Sequence, residues 1–355
     1  MKAADSTRVD AAKIDPKATH VALTFEHTSP FVCCRLDPQG RFAFGSAEDN
    51  TIQRWDLASG EKTELKLHDS WVFSLTLLPD GETLISCGGD GRLVWWPAAA
   101  EKPEPIRVVD GHKLWIKFLA ASPDGKLIAS AGVDRAVRLW NAEDGSLVRE
   151  MMGHKLDVFS VAFHPSGEYL ISGDHLGEIR QWETKTGKYM RSYDAKTLHT
   201  YNGGQGVHYG GVRSVAVSPD GKRLPGCGLR RAPNPLAGGT EAVALVFDRD
   251  SGEQTDQFEL KGVRALTWRS IFHDSGHLIG GAGGHHGGYI LFWKYGLADE
   301  VHRYQLPNTA RSMDLLPDGV DVLTAHYDSK VRLSRLTKKP ADEKSATEDT
   351  AKAAG

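Results

Sequence analysis

The stretch DGHKLWIKFLAASPDGKLIASAGVDRAVRLWN, residues 110–141, decides how this chain is read. A histidine stands near its start, a Pro-Asp-Gly turn begins eleven residues later, and a tryptophan follows the proline by seventeen. Between such landmarks run short alternating segments, such as VFSLTLL, TLISCGG and RLVWW around the Pro79 turn, broken by Gly, Asp and Pro. Segments of strand length broken by turn formers describe antiparallel strands. The proline presets one φ angle of the turn, and the glycine two places on is free to take a positive φ.

The pattern recurs along the chain. His27, His68, His112, His154 and His208 each stand eleven residues before a proline, at Pro38, Pro79, Pro123, Pro165 and Pro219. Trp55, Trp96, Trp140 and Trp182 follow the first four prolines by seventeen residues. A fifth unit ends at Phe247-Asp248, with phenylalanine in the tryptophan position. A sixth carries Asp274-Ser275-Gly276 and ends at Trp293; a seventh carries Pro317-Asp318-Gly319 and VRLSRL (331–336), where Ser334 replaces tryptophan.

Four short strands in each unit of 41 to 44 residues make a propeller blade. The seventh unit stops one strand short, and HVALTF (20–25) lies directly before the first histidine, where an outermost strand belongs. The expected fold is all-β: a seven-bladed β-propeller of four-stranded antiparallel blades, closed by the N-terminal strand completing the last blade. Closure of that kind leaves no open sheet edge. The propeller is expected over residues 20–337, with the polar segments 1–19 and 338–355 as disordered tails.

These motifs resemble the WD-repeat family, whose units run from Gly-His through a Pro-Asp-Gly turn to Trp-Asp. Residues 110–141 and LHDSWVFSLTLLPDGETLISCGGDGRLVWW (67–96) match best, and the likeness covers about residues 20–337. The resemblance implies a buried hydrogen-bond chain through His68, Ser86, Asp90 and Trp96, and another through His112, Ser130, Asp134 and Trp140. Histidine, serine and aspartate also make hydrolase triads. A triad, however, is needed once and with an oxyanion hole, whereas this set recurs at fixed offsets. The resemblance further predicts looser blades where the chain breaks: at Gly45 in the serine position, at Leu176 where aspartate is expected, and in the seventh unit.

In the resembled family, partners contact residues three and five places after the histidine position. Here that series offers Trp71, Phe73, Trp115, Lys117 and Phe159, then Arg213, Arg264 and Arg311, with Arg264 and Arg311 placed by matching short VRSV-like segments. Aromatic and arginine side chains are enriched at binding hot spots because they bury much area and still make directed contacts. Three insertions, at 195–211, 229–240 and 280–289, are expected on the same face, the top, where loops on a rigid scaffold carry function. The resemblance thus implies a non-catalytic scaffold for a protein or peptide, with an acidic segment the natural complement, the propeller itself being monomeric within a larger complex. The alternative is an enzyme or small-ligand-binding propeller using the central funnel with Arg264, His285 and His286.

Composition narrows the field further. A net charge of −3 with no continuous basic stripe argues against nucleic acid as partner. Cys33, Cys34, Cys87 and Cys227 form no CxxC pair and read as small strand residues. Adjacent His285 and His286 are poorly spaced for one metal site, and the glycine runs contain neither GxxxxGK[ST] nor GxGxxG before a helix, so neither metal nor cofactor is expected. With no apolar leader and no uninterrupted apolar run of roughly 18 residues, a cytoplasmic protein without membrane contact is the expectation.

Overall fold

The computed structural model of the protein describes residues 14–231, 240–284, 287–297 and 299–339. Among these residues there is no α-helix, and no helix long and apolar enough to cross a membrane. Four four-stranded sheets follow one another along the chain, each a meander with its strands paired in sequence order. The first runs from Phe31–Leu36 to Lys62–Lys66, the second from Val72–Leu77 to Arg107–Asp110, the third from Ile116–Ala121 to Leu147–Met151, and the fourth from Val158–Phe163 to Tyr189–Asp194.

The next sheet has seven strands, from Ser214–Val215 to His302–Leu306. Its middle strand, Gln254–Phe272, pairs with Glu241–Asp248 through its first part and with His277–Gly284 through its second. The final four-stranded sheet contains Ala310–Leu315, Asp321–His326, Lys330–Arg335 and, at its edge, the first strand of the chain, His20–Glu26. That strand pairs antiparallel with Lys330–Arg335, from His20 opposite Arg335 to Glu26 opposite Lys330. The seventh sequence unit therefore receives its fourth strand from the other end of the chain.

Sheet packing explains the composition of the strands. Middle strands such as Thr83–Gly88 are buried along nearly their whole length because neighbouring sheets cover both faces. Outer strands such as Lys62–Lys66 bury a single residue, Leu65, and expose charged neighbours. Each interface is a continuous apolar cluster: Phe44, Ile52 and Leu65 of the first sheet meet Val72, Leu84 and Trp96 of the second. In the turns, Gly40, Gly81, Gly125, Gly167, Gly221 and Gly319 hold φ between 71° and 74°, the conformation that makes glycine necessary there.

Residues 14–19 differ from expectation. Rather than belonging to a tail, Asp15 caps a 3-10 turn at Pro16–Ala18 by accepting from the Lys17 amide at 3.1 Å, and its own amide donates to the Leu336 carbonyl at 2.9 Å. Ile14 packs beside the cluster of Phe292 and Leu336, an apolar anchor that the surrounding charges mask in the sequence. The insertion at 195–211 forms a 3-10 turn and a hairpin of His199–Asn202 with Val207–Gly210. In the insertion at 229–240, residues 232–239 lie outside the described residues, as do His285 and His286.

The first strand is tied to more than its own sheet. Phe25 stacks on Trp55 of the neighbouring sheet with ring centroids 5.1 Å apart, inside a cluster that also holds Phe31 and Leu323. Truncating a buried phenylalanine removes its transfer energy and leaves a cavity. Phe25→Ala is therefore expected to lower the unfolding free energy in urea by about 3 kcal/mol. An unchanged midpoint would mean that this strand does not hold the first and last sheets together.

Candidate functional site

Three sheets carry the same polar chain. His68 places Nδ1 2.8 Å from Asp90 Oδ2 and Nε2 2.8 Å from Ser86 Oγ, and Trp96 Nε1 donates to that oxygen at 2.9 Å. In the next sheet the distances are 2.8 Å from His112 to Asp134, 2.7 Å from His112 to Ser130, and 2.9 Å from Trp140 to Ser130. An indole N–H can only donate, so the serine oxygen accepts from it, gives its proton to Nε2, and leaves Nδ1–H to the aspartate. A serine so engaged, and fully buried at Ser86 and Ser130, offers no free nucleophile. The arrangement fixes the loop before each sheet; it does not prepare a reaction.

Where the sequence pattern breaks, other residues take over. In the fourth sheet, Leu176 stands at the aspartate position, yet Asp174, two residues earlier, lies 2.9 Å from His154 Nδ1, while Ser172 joins His154 and Trp182. The chain there is complete, which corrects the expectation of a looser unit. At Gly45 the missing serine is replaced by bulk: a Cβ would come within 2.8 Å of the Phe31 ring, which meets Trp55 edge-on. His208 is not the fifth member of the series. It sits in the inserted hairpin, 2.8 Å from His199, where its eleven-residue spacing to Pro219 is coincidental. In the last sheet His326, between Thr324 and the Asn308 carbonyl, restores part of the chain.

Electrostatics tie the network to pH. Burial alone would raise the Asp134 carboxyl, but hydrogen bonds from His112 and Arg138 outweigh it and hold the group well below its ordinary value of 3.8. Burial lowers His112 below 6.5 despite the neighbouring aspartate. Both shifts mean that the unfolded chain takes up protons first, so stability falls as pH drops below about 6.5 and falls further below about 4.

The second constellation is a ring of bulges. In five sheet-opening strands the register slips by one residue, at Val32, Phe73, Lys117, Phe159 and Arg311, and it slips likewise at Trp268 in the middle strand Gln254–Phe272. Arg213 stands directly before the short strand Ser214–Val215, its amide donating to the Cys227 carbonyl at 2.8 Å. A bulge turns its extra side chain away from the ladder and re-aims it. All seven side chains line one cavity of about 290 Å³, with Trp71 on its rim. Sequence matching is corrected here: Arg264 is exposed, opposite Glu241 in the strand ladder, and does not line the cavity; Trp268, four residues later, stands there instead.

The remaining candidates meet at this mouth. Phe73 lies 6.3 Å from Trp71 and 5.6 Å from Trp115, centroid to centroid, and both tryptophans remain substantially exposed, at 41% and 50%. Lys117 Nζ sits 3.7 Å above the Phe73 ring and 4.6 Å above Trp115. Arg213 lies 4.5 Å over Phe159, which is buried. Arg311 is paired with Glu48 at 2.6 Å. Burial, reinforced by Arg213, lowers Lys117 to about 8, and burial lowers Arg213 to about 10. Below the mouth, Arg269 and Arg35 face the Phe118 ring at 5.4 and 5.6 Å; the sequence reading missed all three.

Short antiparallel sheets repeating one His–Ser–Asp–Trp chain define a protein of propeller type. Residues 19–56, 60–97, 103–141 and 145–183 match the family model described as WD domain, G-beta repeat, which gives the chain four WD repeats. Similar proteins include an uncharacterized WD repeat-containing protein of Schizosaccharomyces pombe, 27% identical over 24% of this chain and 25% of the relative. Transducin-like enhancer protein 2 of Mus musculus is 27% identical over 33% of this chain and 15% of its own. WD repeat and FYVE domain-containing protein 1 of Mus musculus is 28% identical over 28% of this chain and 25% of its own. The matches thus span a quarter or less of each relative. WD repeats generally mediate protein interactions and are generally non-catalytic.

Two substitutions separate pattern from geometry. Asp134→Ala, and Asp174→Ala in the unit whose motif looks broken, are each expected to lower stability by about 2–3 kcal/mol, because each strands a buried histidine N–H. Thermal unfolding from pH 5 to 8 checks this, with the loss of stability toward pH 5 steepened in Asp134→Ala, because the carboxylate that opposes the lowering of His112 is gone. If Asp174→Ala melts as the parent does, the displaced aspartate has no structural part.

Proposed function

We propose that the protein is a closed seven-bladed propeller acting as a non-catalytic interaction platform, with its partner, a protein or peptide, docking over the mouth of the axial cavity. The blade count takes the seven-stranded sheet as two blades sharing Gln254–Phe272, and closure takes the pairing of His20–Glu26 with Lys330–Arg335 as the seal. Support for the docking face comes above all from Trp71 and Trp115, two exposed indoles flanking Phe73 beside a rim of cations. Indoles held by a rigid scaffold present large contact area at little entropic cost.

The residues assigned to the partner are Trp71, Phe73, Trp115, Lys117, Phe159, Arg213 and Arg311, with Trp268 added and Arg264 removed on the geometry of the bulges. Lys117 and Arg213 favour an acidic partner segment, since among the described residues neither has a carboxylate within ion-pair distance. The propeller acts as one copy within a larger assembly.

Trp71→Ala with Trp115→Ala is expected to leave the melting temperature within a few degrees of the parent, because both rings are half exposed. In quantitative affinity capture from the native lysate, the same double variant is expected to lose more than nine-tenths of the partners retained by the parent. Identical partner sets for parent and variant would move the docking face elsewhere.

A further inference from the structure

The axial cavity holds more positive charge than its own walls neutralise. Lys117 and Arg213 stand at the mouth, while Arg269 lines both this cavity and a second one of about 590 Å³ entering from the opposite face. Arg35 lines the lower cavity and shares the Phe118 ring with Arg269. Arg35 shares the lower cavity with Asp274, Asp314 and Asp318, so the cations to be matched at the upper cavity are Lys117, Arg213 and Arg269. Asp314 is 3.6 Å from Arg269, and Asp157 faces Lys117 and Arg213 without pairing closely with either. Arg311 is already neutralised by Glu48.

The donors are unsatisfied as well as the charges. Among the described residues, no acceptor meets Arg213 Nε, Arg269 Nη1, Arg35 Nη2 or the indole Nε1 of Trp268, although all four atoms are removed from solvent. Lys117 has ring faces for neighbours and no carboxylate in contact. A desolvated cation without a counter-charge is strongly unfavourable, and a buried N–H without an acceptor adds to that. Burial lowering Lys117 to about 8 and Arg213 and Arg269 each to about 10 expresses the same tension.

We propose that the axial cavity is an anion site for a phosphate-class dianion, engaged by Lys117 and Arg213 at the mouth and by Arg269 from within. Lys117, Arg213 and Arg269 line one cavity, and a phosphate group offers several acceptor oxygens that these donors can share. Guanidinium groups match the geometry of a phosphate, and the ammonium adds a point charge. The aromatic walls made by Phe73, Phe159 and Trp268 exclude water and strengthen each contact. The phosphate arrives either free or on a phosphorylated residue of a partner segment. In both cases the inference rests on this mouth being the open, ligand-facing end of the cavity, as in the platform reading above.

The test uses the full chain at constant ionic strength, exchanging sodium chloride for sodium phosphate in isothermal titration calorimetry. A phosphoserine tripeptide and its unphosphorylated counterpart form the second arm. Saturable one-to-one binding of inorganic phosphate identifies a free-anion site; binding of the phosphopeptide alone identifies a partner-borne group. Either is expected to weaken tenfold or more in Lys117→Met and in Arg213→Met, and to persist in Arg264→Met, outside the cavity. Should the cavity variants fail to fold, reductive methylation of the parent gives the answer: the bound probe should slow modification of Lys117 at least fivefold, and chloride should not. Absence of saturable binding by both phosphate probes, or an unprotected Lys117, would overturn the proposal. Loss of partner capture in the tryptophan variant together with no phosphate binding would leave the platform reading standing and end this one; the reverse pair would do the opposite.

Discussion

A strand at the edge of a sheet carries a row of backbone N–H and C=O groups that must find partners or invite another chain to supply them. Lys330–Arg335 would present such a row if the polypeptide's last sheet stood alone. The strand His20–Glu26 meets it, from more than three hundred residues away in sequence. The pairing fixes where the first and last sheets stand, and Phe25 on Trp55 carries the constraint into the next interface. The bulged residues line one cavity, and in the ring proposed above this pairing is what holds the sheets around it.

The polar chains and the cavity use opposite solutions to burial. At His68 and His112 every donor removed from water has an acceptor, so those groups rigidify the loops they join. At the cavity, Arg35, Arg213, Arg269 and Trp268 keep donors without acceptors. The folded chain tolerates this because strong contacts elsewhere determine the backbone that presents those side chains. Rigidity at the perimeter is what lets an unsatisfied centre persist.

Much of this was legible in the residues. Fixed offsets between His, Pro and Trp give the strand order of the first four sheets, and the surplus strand at 20–25 gives the partner of Lys330–Arg335. Legibility failed where geometry is not counted in residues. Asp174 reaches His154 from two positions before the expected one, because a carboxylate need only arrive at the ring nitrogen, by whatever path the turn allows. VRAL at 263–266 imitates VRSV at 212–215, yet the bulge in that strand falls at Trp268; its Gln254–Phe272 stretch runs through two pairings with no turn to mark the boundary. His208 kept the spacing and lost the role, since an inserted hairpin supplies it. Arg35 and Arg269 carry no local signal at all, for their significance arises from each other's company around Phe118.

Hydrogen exchange of the backbone amides in Val21–Glu26 is the most direct examination of the arrangement. If this strand seals the last sheet, those amides that face Lys330–Arg335 exchange as slowly as amides in Asp321–His326, orders of magnitude below the rate of a free peptide. Exchange at the free-peptide rate across residues 21–26, with Asp321–His326 still protected, would contradict a sealed ring and with it the common centre on which the binding face rests.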